Sequence, residues 1–146
     1  MLHGGDPEKV YAGNPRDETQ AFYCFQAPLI QAANDYLRDA GSPLRALDRT
    51  GARVDELLAC IDGGTPVIVW CTIGFEPAEQ SRNSAWIVEG MEQRCVPYTN
   101  LHCTVLTGYD DEFFYFADPL GTDGRAARVE FLRSFEEMGN RAVILA

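Results

Sequence analysis

A histidine and an aspartate in the second half of the chain have the residue types of a catalytic pair. They stand in the segment HCTVLTGYDDEFFYFADPL, where His102 opens one apolar run and Asp118 closes the next. A carboxylate that accepts the imidazole Nδ1–H fixes the ring tautomer and leaves Nε2 to act on a nucleophile. A nearby thiol would be held as a reactive thiolate beside the charged ring. The alternative is that His102 is a satisfied polar residue and that Asp118, before Pro119, only ends a strand.

Strand geometry decides whether the two side chains can meet. The apolar runs around them predict two antiparallel strands joined at an acidic turn. A three-residue turn over 110–112 places Thr104 opposite Asp118. His102 and Asp118 are then diagonal neighbours on one face, about 7 to 8 Å apart at the backbone. A two-residue turn places Asp118 opposite Cys103, on the other face, so the pattern permits the pair and leaves both registers open.

The secondary structure that must position these residues is predicted to begin with helices and to continue with an antiparallel sheet. This order along the chain is typical of an α+β fold. Apolar periodicity and turn residues predict one domain over 1–146, with residues 1–21 and 76–100 largely irregular and GTDGRA as a turn. The elements predicted are helices at 27–41, 53–61 and 128–139 and strands at 66–75, around 85–88, and at 102–109, 113–118 and 141–145.

Net charge and cysteine content limit the classes of ligand that the domain is expected to bind. The net charge of −10 repels phosphate backbones and anionic membrane surfaces, which argues against nucleic acid or membrane contact by this segment. Neutral or basic peptides remain compatible. The five cysteines form no C-x-x-C motif, and the acidic turn over 110–112 lacks an EF-hand loop. We therefore predict no metal site and no cofactor.

The segment from His102 to Asp118 resembles the His-to-Asp segment of papain-like cysteine peptidases of the bacteriocin-processing (double-glycine) type, and more closely their C39-like relatives. The likeness extends, in the expected order, to YAGNPRD, CFQAPLIQAANDYL, GTPVIVWCTIGF and EEMGNRAVIL. The resemblance implies a papain-like α+β fold, a peptide or protein substrate, and a Cys–His–Asp mechanism. In that mechanism His102 is the base and Asp118 its orienting carboxylate.

The nucleophile is where the sequence departs from the family pattern. The resemblance implies a cysteine at the start of the first long helix, with an oxyanion-hole glutamine shortly before it, and places both upstream of residue 1. The chain is thus expected to be a shortened domain that is inactive alone. Cys24 is the fallback nucleophile because it precedes a helix and follows Gln20 by four residues. Papain-like spacing would instead put the glutamine at Glu18, which favours a packed cysteine.

Three functions fit these features: a cysteine peptidase, a non-catalytic peptide-binding pseudo-enzyme, and an acyltransferase that uses the same triad. Loss of the first helix would uncover an apolar face, which predicts a homo-oligomer or an exchange of elements between protomers. Relatives of this type are bacterial and often exported or membrane-associated, which the resemblance extends to this chain only if a signal precedes it.

Overall fold

A six-stranded antiparallel sheet with helices on both faces forms the centre of the structure. The computed structural model describes residues 2–17, 19, 21–121 and 124–146. Its helices and strands, in chain order, are β1 (Leu2–Gly4), β2 (Ala12–Gly13), β3 (Ala21–Tyr23), α1 (Gln26–Asp39), β4 (Ala46–Asp48), α2 (Val54–Asp62), β5 (Val67–Thr72), β6 (Trp86–Val88), β7 (Arg94–Cys95), β8 (Leu101–Tyr109), β9 (Phe113–Ala117), β10 (Gly124–Ala127), α3 (Arg128–Glu137) and β11 (Ala142–Leu145).

The main sheet has the strand order β10-β9-β8-β5-β11-β4, and each neighbouring pair is antiparallel. β5 lies between β8 and β11 in the middle of the sheet, where helices pack against both faces and cover its side chains. This position explains why its sequence, VIVWCT, is continuously apolar instead of alternating with polar residues. The strand predicted from that run is therefore present, and it ends at Thr72.

Alternate residues of β5 divide the core in two. Val67 and Val69 belong to a cluster with Leu57 of α2 and Phe131 of α3. The side chain of Trp70 belongs to a second cluster, which also includes residues of α1. The face that carries Val67 and Val69 is thus covered by α2 and α3, and α1 covers part of the other face.

The three helices lie close to their predicted positions. α3 buries Phe131 and Phe135, which are four residues apart and therefore lie on one side of a helix. α1 ends at Asp39, and Gly41 follows it with φ of 67°, a left-handed conformation that glycine adopts without steric cost. In the described part of the chain, no helix is both long and apolar enough to cross a membrane.

The predicted order of helices before strands is wrong, although the α+β class is correct. β1, β2 and β3 precede α1, and β4 lies between α1 and α2 at the edge of the main sheet. The strand predicted around 85–88 is present as β6. The N-terminal residues predicted to be irregular include β1 and β2, and the stretch 76–100 also includes β7. The strands that were not predicted, β1, β2, β4 and β7 among them, have only two or three residues, too few for an alternating pattern to be recognised.

The turn predicted for GTDGRA is also wrong in part. Gly124 and Arg125, predicted to lie in a turn, belong to β10 and pair with Phe116 and Tyr115 of β9. The two residues before them, 122 and 123, lie outside the described part of the chain.

One arginine fixes the N-terminal segment to the main sheet. The guanidinium of Arg141, directly before β11, donates to both carboxylate oxygens of Glu8 at 2.9 and 2.5 Å and to Oε1 of Gln26 at 2.5 Å. It also lies 3.7 Å from the ring centre of Phe25. A bidentate ion pair of this kind holds both partners in a defined geometry. The segment before α1 is therefore positioned as part of the domain.

Candidate active site

His102 and Asp118 meet across β8 and the end of β9. Nε2 of His102 lies 2.8 Å from Oδ2 of Asp118. The two side chains retain 14% and 21% of their exposure, so they are partly withdrawn from water and still reachable from outside. We call these two residues the His–Asp pair. The structure thus brings together the two residues that the sequence selected, and it leaves their catalytic role as a prediction.

The turn between the two strands differs from the predicted one. Tyr109 pairs with Phe114, whereas a three-residue turn would pair it with Phe113. At the turn, the register is therefore shifted by one residue from the prediction. If this shift continued along the hairpin, the His–Asp pair would lie on opposite faces of the sheet.

A β-bulge restores the register before the site. It lies between Leu106 and Gly108, and beyond it Val105 pairs with Ala117. The hydroxyl of Thr104, the next residue towards the site, donates to the carbonyl of Ala117 at 3.0 Å. A bulge places one extra residue in one strand and so re-aims the side chains that follow it. The His–Asp pair shares a face because of this bulge.

The nitrogen that faces the carboxylate is Nε2, and the prediction that it would be Nδ1 is wrong. Nε2 is the ring nitrogen farther from the backbone, so it is the one that reaches a diagonal neighbour. In a neutral ring whose Nε2–H donates to Asp118, Nδ1 carries the lone pair. The same chemistry is available with the nitrogens exchanged, because Nδ1 would then accept the proton of a nucleophile.

The carboxylate of Asp118 is held from two sides. Its Oδ1 accepts the backbone N–H of Leu120 at 2.8 Å, and its own carbonyl accepts the N–H of Gly121 at 2.9 Å. Partial desolvation, the largest influence, raises the pKa of Asp118. The hydrogen bonds from Leu120 and His102 outweigh it, so the pKa of this carboxyl lies below its ordinary value. Asp118 is therefore an ionised acceptor suited to orienting the imidazole.

A cleft of about 220 Å³ opens beside the His–Asp pair. Phe75 and Phe116 form part of its lining, with ring centres 4.9 Å apart. Two large apolar side chains at the cleft, Ile73 and Leu120, remain 51% and 71% exposed. The pair is thus accessible from a cleft whose described walls are mainly apolar.

The loop after β5 forms one wall of this cleft and is anchored to α3. Arg133 donates to the carbonyl of Phe75 at 2.7 Å, and Glu137 accepts the N–H of Ala78 at 2.8 Å. The buried hydroxyl of Ser134 accepts the N–H of Thr72 at 2.7 Å. Three contacts from two adjacent turns of one helix hold this wall in place.

Phe75 adopts a backbone conformation that is unusual for a residue with a side chain. Its φ is 58°, and that of Gly74 before it is 65°. Two successive left-handed residues turn the chain sharply, which places Phe75 against the aromatic core at Phe116 and Phe131. Strain of this kind persists only where surrounding contacts impose it, and it often occurs at functional sites.

Two cysteines, Cys71 and Cys103, are neighbours of His102 in the sheet, but the structure does not pair their thiols with the imidazole. Among the described residues, no hydrogen bond joins His102 to a cysteine, and all five cysteines are free of disulfides. Burial raises the pKa of Cys71 and of Cys103 to about 12. Both thiols are therefore protonated at neutral pH, unlike an activated nucleophile.

Cys24, the fallback nucleophile, has the environment of a packed residue. Burial raises the pKa of its thiol, which opposes thiolate formation. The thiol also interacts electrostatically with Cys103. The side chain of Cys103 alternates with that of His102 along β8 and so lies on the opposite face. Gln20 and Glu18, the two positions considered for an oxyanion-hole amide, lie outside the described residues.

The acidic turn between β8 and β9 is occupied by its own hydrogen bonds. The carboxylate of Asp110 accepts the N–H groups of Glu112 and Phe113 at 2.8 and 2.7 Å and the hydroxyl of Tyr115 at 2.5 Å. In the part of the chain that the structure describes, no group of three or more histidine, cysteine or acidic side chains is arranged to hold a metal ion.

Sequence reasoning missed the residues that shape the cleft. Ile73 and Phe75 fall at the end of the strand predicted over 66–75, and the sequence predicts no role for Leu120. A local signal exists for Leu120, because Asp-Pro-Leu-Gly at 118–121 is a typical turn sequence in which an aspartate accepts the N–H two residues on. No pattern in the sequence shows that this turn and the loop after β5 flank the same cleft.

Comparison with known proteins assigns the family. The family model described as "Peptidase_C39 like family" matches residues 1–143. The chain belongs to the C39-like peptidase family. The family assignment made from the sequence is thus confirmed.

Two relatives of this C39-like chain agree with the assignment. The uncharacterized protein YvpB of Bacillus subtilis (strain 168) is 28% identical over 142 residues, which cover 97% of this chain and 53% of YvpB. A crystal structure from Bacillus anthracis, assigned to the C39-like peptidases, superposes with a TM-score of 0.78 at 27% identity. That match covers 97% of this chain and 69% of the other. The chain therefore spans about half the length of the curated relative it matches.

Proposed function

We propose that this domain belongs to a cysteine peptidase with a Cys–His–Asp mechanism that acts on a peptide substrate. His102 is its general base and Asp118 the carboxylate that orients the ring. The observation that supports this function best is the 2.8 Å contact between Nε2 and Oδ2 beside an accessible cleft. Membership of a peptidase-like family supports the same reaction class.

The proposed reaction follows from the orientation of the ring. Nδ1 takes the proton of a thiol, and the thiolate attacks the carbonyl carbon of the scissile peptide. The imidazolium then gives that proton to the departing amine, leaving an acyl-enzyme that water hydrolyses. The Asp118 carboxylate keeps Nε2–H directed at itself and stabilises the ring while it is charged. The low pKa of this carboxyl keeps it ionised throughout.

The nucleophilic thiol of this mechanism remains to be assigned to a cysteine. Because Cys71 and Cys103 have strongly raised pKa values and Cys24 is packed, we propose that another segment of polypeptide contributes the nucleophile. The 146 residues on their own would then not hydrolyse peptides. A glutamine amide near that cysteine would stabilise the oxyanion.

A second candidate function is a peptide-binding pseudo-enzyme. It is favoured by the lack of a hydrogen bond between His102 and any cysteine among the described residues. Such a protein would keep the cleft and bind peptides without cleaving them. The two candidates differ in one observable, which is turnover by the protein that contains this domain.

The test uses the gene product that contains these residues, incubated with a complex peptide mixture and followed by mass spectrometry of new termini. Replacing His102 by Ala should lower the rate of cleavage by about 100-fold to 10,000-fold, because a general base contributes that much. His3→Ala is the matched control, since His3 is an exposed histidine in β1 and should leave the rate unchanged. Alkylation with iodoacetamide should abolish cleavage.

Two results would contradict parts of this proposal. Cleavage that persists in His102→Ala would exclude this residue as the base. A complete lack of cleavage by the unmodified gene product, together with peptide binding, would support the pseudo-enzyme instead.

We further propose that the domain associates with a second copy or exchanges an element with it. On the face of β8 and β9 opposite to His102, an apolar groove of about 350 Å³ runs from Leu29 and Ile68 past Cys103 and Val105 to Pro119. Such a surface favours burial against a partner. Light scattering after size exclusion should report a species heavier than 16.2 kDa. A monomer at all concentrations would contradict this association.

A further inference from the structure

We infer that the cleft beside the His–Asp pair binds one neutral, apolar side chain of an extended peptide, and that Ile73 and Leu120 determine this preference. The inference rests on the proposed function, because it takes this cleft as the place where the peptide lies next to the base.

The exposure of the cleft residues is the first observation. Ile73 and Leu120 come from segments more than forty residues apart in the chain, and both line the cleft that contains His102. They remain 51% and 71% exposed, whereas the phenylalanines of the core beside the cleft, Phe116 and Phe131, are buried. Single exposed apolar residues need no explanation, but two that flank one cleft form a surface that a ligand can cover.

The charges around the cleft are the second observation. Of the described residues that line it, Asp118 and Arg125 carry an ionised group. The carboxylate of Asp118 is engaged by His102 and by the N–H of Leu120. The guanidinium of Arg125 lies 4.1 Å from the ring centre of Phe113, which is outside the cleft. A basic side chain entering the cleft would therefore lose water without gaining an ion pair, and an acidic one would have to draw the Arg125 guanidinium away from Phe113 to gain one.

The size of the cleft is the third observation. Its volume of about 220 Å³ is smaller than the roughly 300 to 1,000 Å³ of pockets that enclose a whole drug-sized ligand. It suits a single side chain, with the rest of the peptide lying across the opening. Such a position would bring one backbone carbonyl of the peptide close to His102.

The rigidity of the wall supports selectivity. The loop that carries Ile73 is fixed through Phe75 and Ala78 to Arg133 and Glu137 of α3. Leu120 is fixed by the turn in which its N–H binds Asp118. A surface that is already ordered loses less conformational freedom on binding.

The experiment measures peptide binding by NMR. The probes are four capped tetrapeptides, acetyl-Ala-Xaa-Ala-Gly-amide, in which Xaa is Leu, Phe, Asp or Lys. The signals followed are the ring of His102 and the backbone amide of Leu120. We expect the Leu and Phe peptides to bind at least about tenfold more tightly than the Asp and Lys peptides, as an apolar pocket discriminates.

Variants locate the preference. Ile73→Ser and Leu120→Ser should each weaken binding of the Leu peptide about fivefold, because less apolar surface is buried. Both residues are exposed, so both variants are expected to fold, which circular dichroism checks. Val129→Ser is the control, since Val129 is 75% exposed on α3 and does not line the cleft. It should bind as the unmodified chain does.

The inference is overturned if the Asp or Lys peptide binds as tightly as the Leu peptide, or if no peptide shifts the two signals up to its solubility limit. Binding requires no thiol, so this outcome is independent of peptide cleavage. Cleavage without a preference for apolar peptides would contradict this inference and support the peptidase proposal. A preference for apolar peptides without cleavage would support this inference and contradict the peptidase proposal.

Discussion

Two aspartates at opposite ends of the same hairpin show what separates a turn from a candidate catalytic site. Asp110 follows β8 and Asp118 follows β9, and each accepts the backbone N–H of the residue two positions on. Each carboxyl has a pKa below its ordinary value. The hydrogen bond to the residue two positions on and the lowered pKa therefore do not distinguish the two residues.

Asp110 and Asp118 differ in the other groups that contact their carboxylates and in how far each site is exposed to water. At Asp110 the hydroxyl of Tyr115 and two backbone N–H groups occupy the carboxylate, in a turn exposed to water. The second oxygen of Asp118 instead faces an imidazole, in a partly buried position beside a cleft. A carboxylate can serve catalysis when its partner is itself reactive and water is partly excluded.

The largest expected difference between Asp118 and Asp110 is in catalytic activity. In the gene product that contains the domain, Asp118→Asn should lower kcat/KM for peptide cleavage by about 100-fold, because the ring loses its orienting charge. Asp110→Asn is the matched control at the other end of the hairpin and should leave kcat/KM unchanged. Equal losses in the two variants would mean that both act only through folding.

A pair of threonines sharpens the comparison through stability. The hydroxyl of Thr104 is buried and donates to Ala117, whereas Thr107 is exposed and donates to Tyr115. Thr104→Val should lower the free energy of unfolding by about 1 to 3 kcal/mol, since a buried hydrogen bond is lost. Thr107→Val should stay within about 0.5 kcal/mol. Urea unfolding measures both free energies. Equal losses in the two variants would contradict a hairpin that is buried near Asp118 and exposed near Asp110.

A smaller effect concerns pH. Because the folded pKa of Asp118 lies below its ordinary value of 3.8, its carboxylate stabilises the fold above that value. The contribution is lost as pH falls through the lowered pKa. The difference in unfolding free energy between the unmodified chain and Asp118→Asn should thus be constant near neutral pH and shrink only below about pH 4. A difference that grows on acidification would show that the sign is wrong.

The last prediction is that His102 has no effect on the reactivity of Cys24. Iodoacetamide should label Cys24 slowly at pH 6, because burial raises the pKa of this thiol. Replacing His102 by Ala should leave that rate unchanged. Rapid labelling that slows in the His102→Ala variant would restore Cys24 as the nucleophile.

Long patterns in the sequence were sufficient for much of the fold. The three helices and the strands β5, β8, β9 and β11 follow from apolar periodicity and from turn residues. β1, β2, β3, β4 and β7 were not predicted, since two or three residues carry no period. In addition, β1 and β4 pair with strands that are distant in sequence.

The candidate site shows a different limit. His102 and Asp118 could be selected from residue types and strand register, but the correct facing depends on a bulge between Leu106 and Gly108. The local signal for it is Gly108, because an isolated glycine inside a strand often marks a bulge, but a glycine alone does not fix the register on either side. The cleft walls at Ile73 and Leu120 depend on tertiary contacts between segments far apart in the chain, which a single sequence does not reveal.

The protonation of the His102 ring tests the central claim most directly. Long-range ¹H–¹⁵N NMR in alkaline buffer, where an imidazole is neutral, distinguishes a protonated ring nitrogen from one with a free lone pair. The Nε2–Oδ2 contact predicts the proton on Nε2 and the lone pair on Nδ1, and this preference should weaken in Asp118→Asn. A proton on Nδ1, or a ring unaffected by Asp118→Asn, would contradict an imidazole oriented by this carboxylate to act as a base.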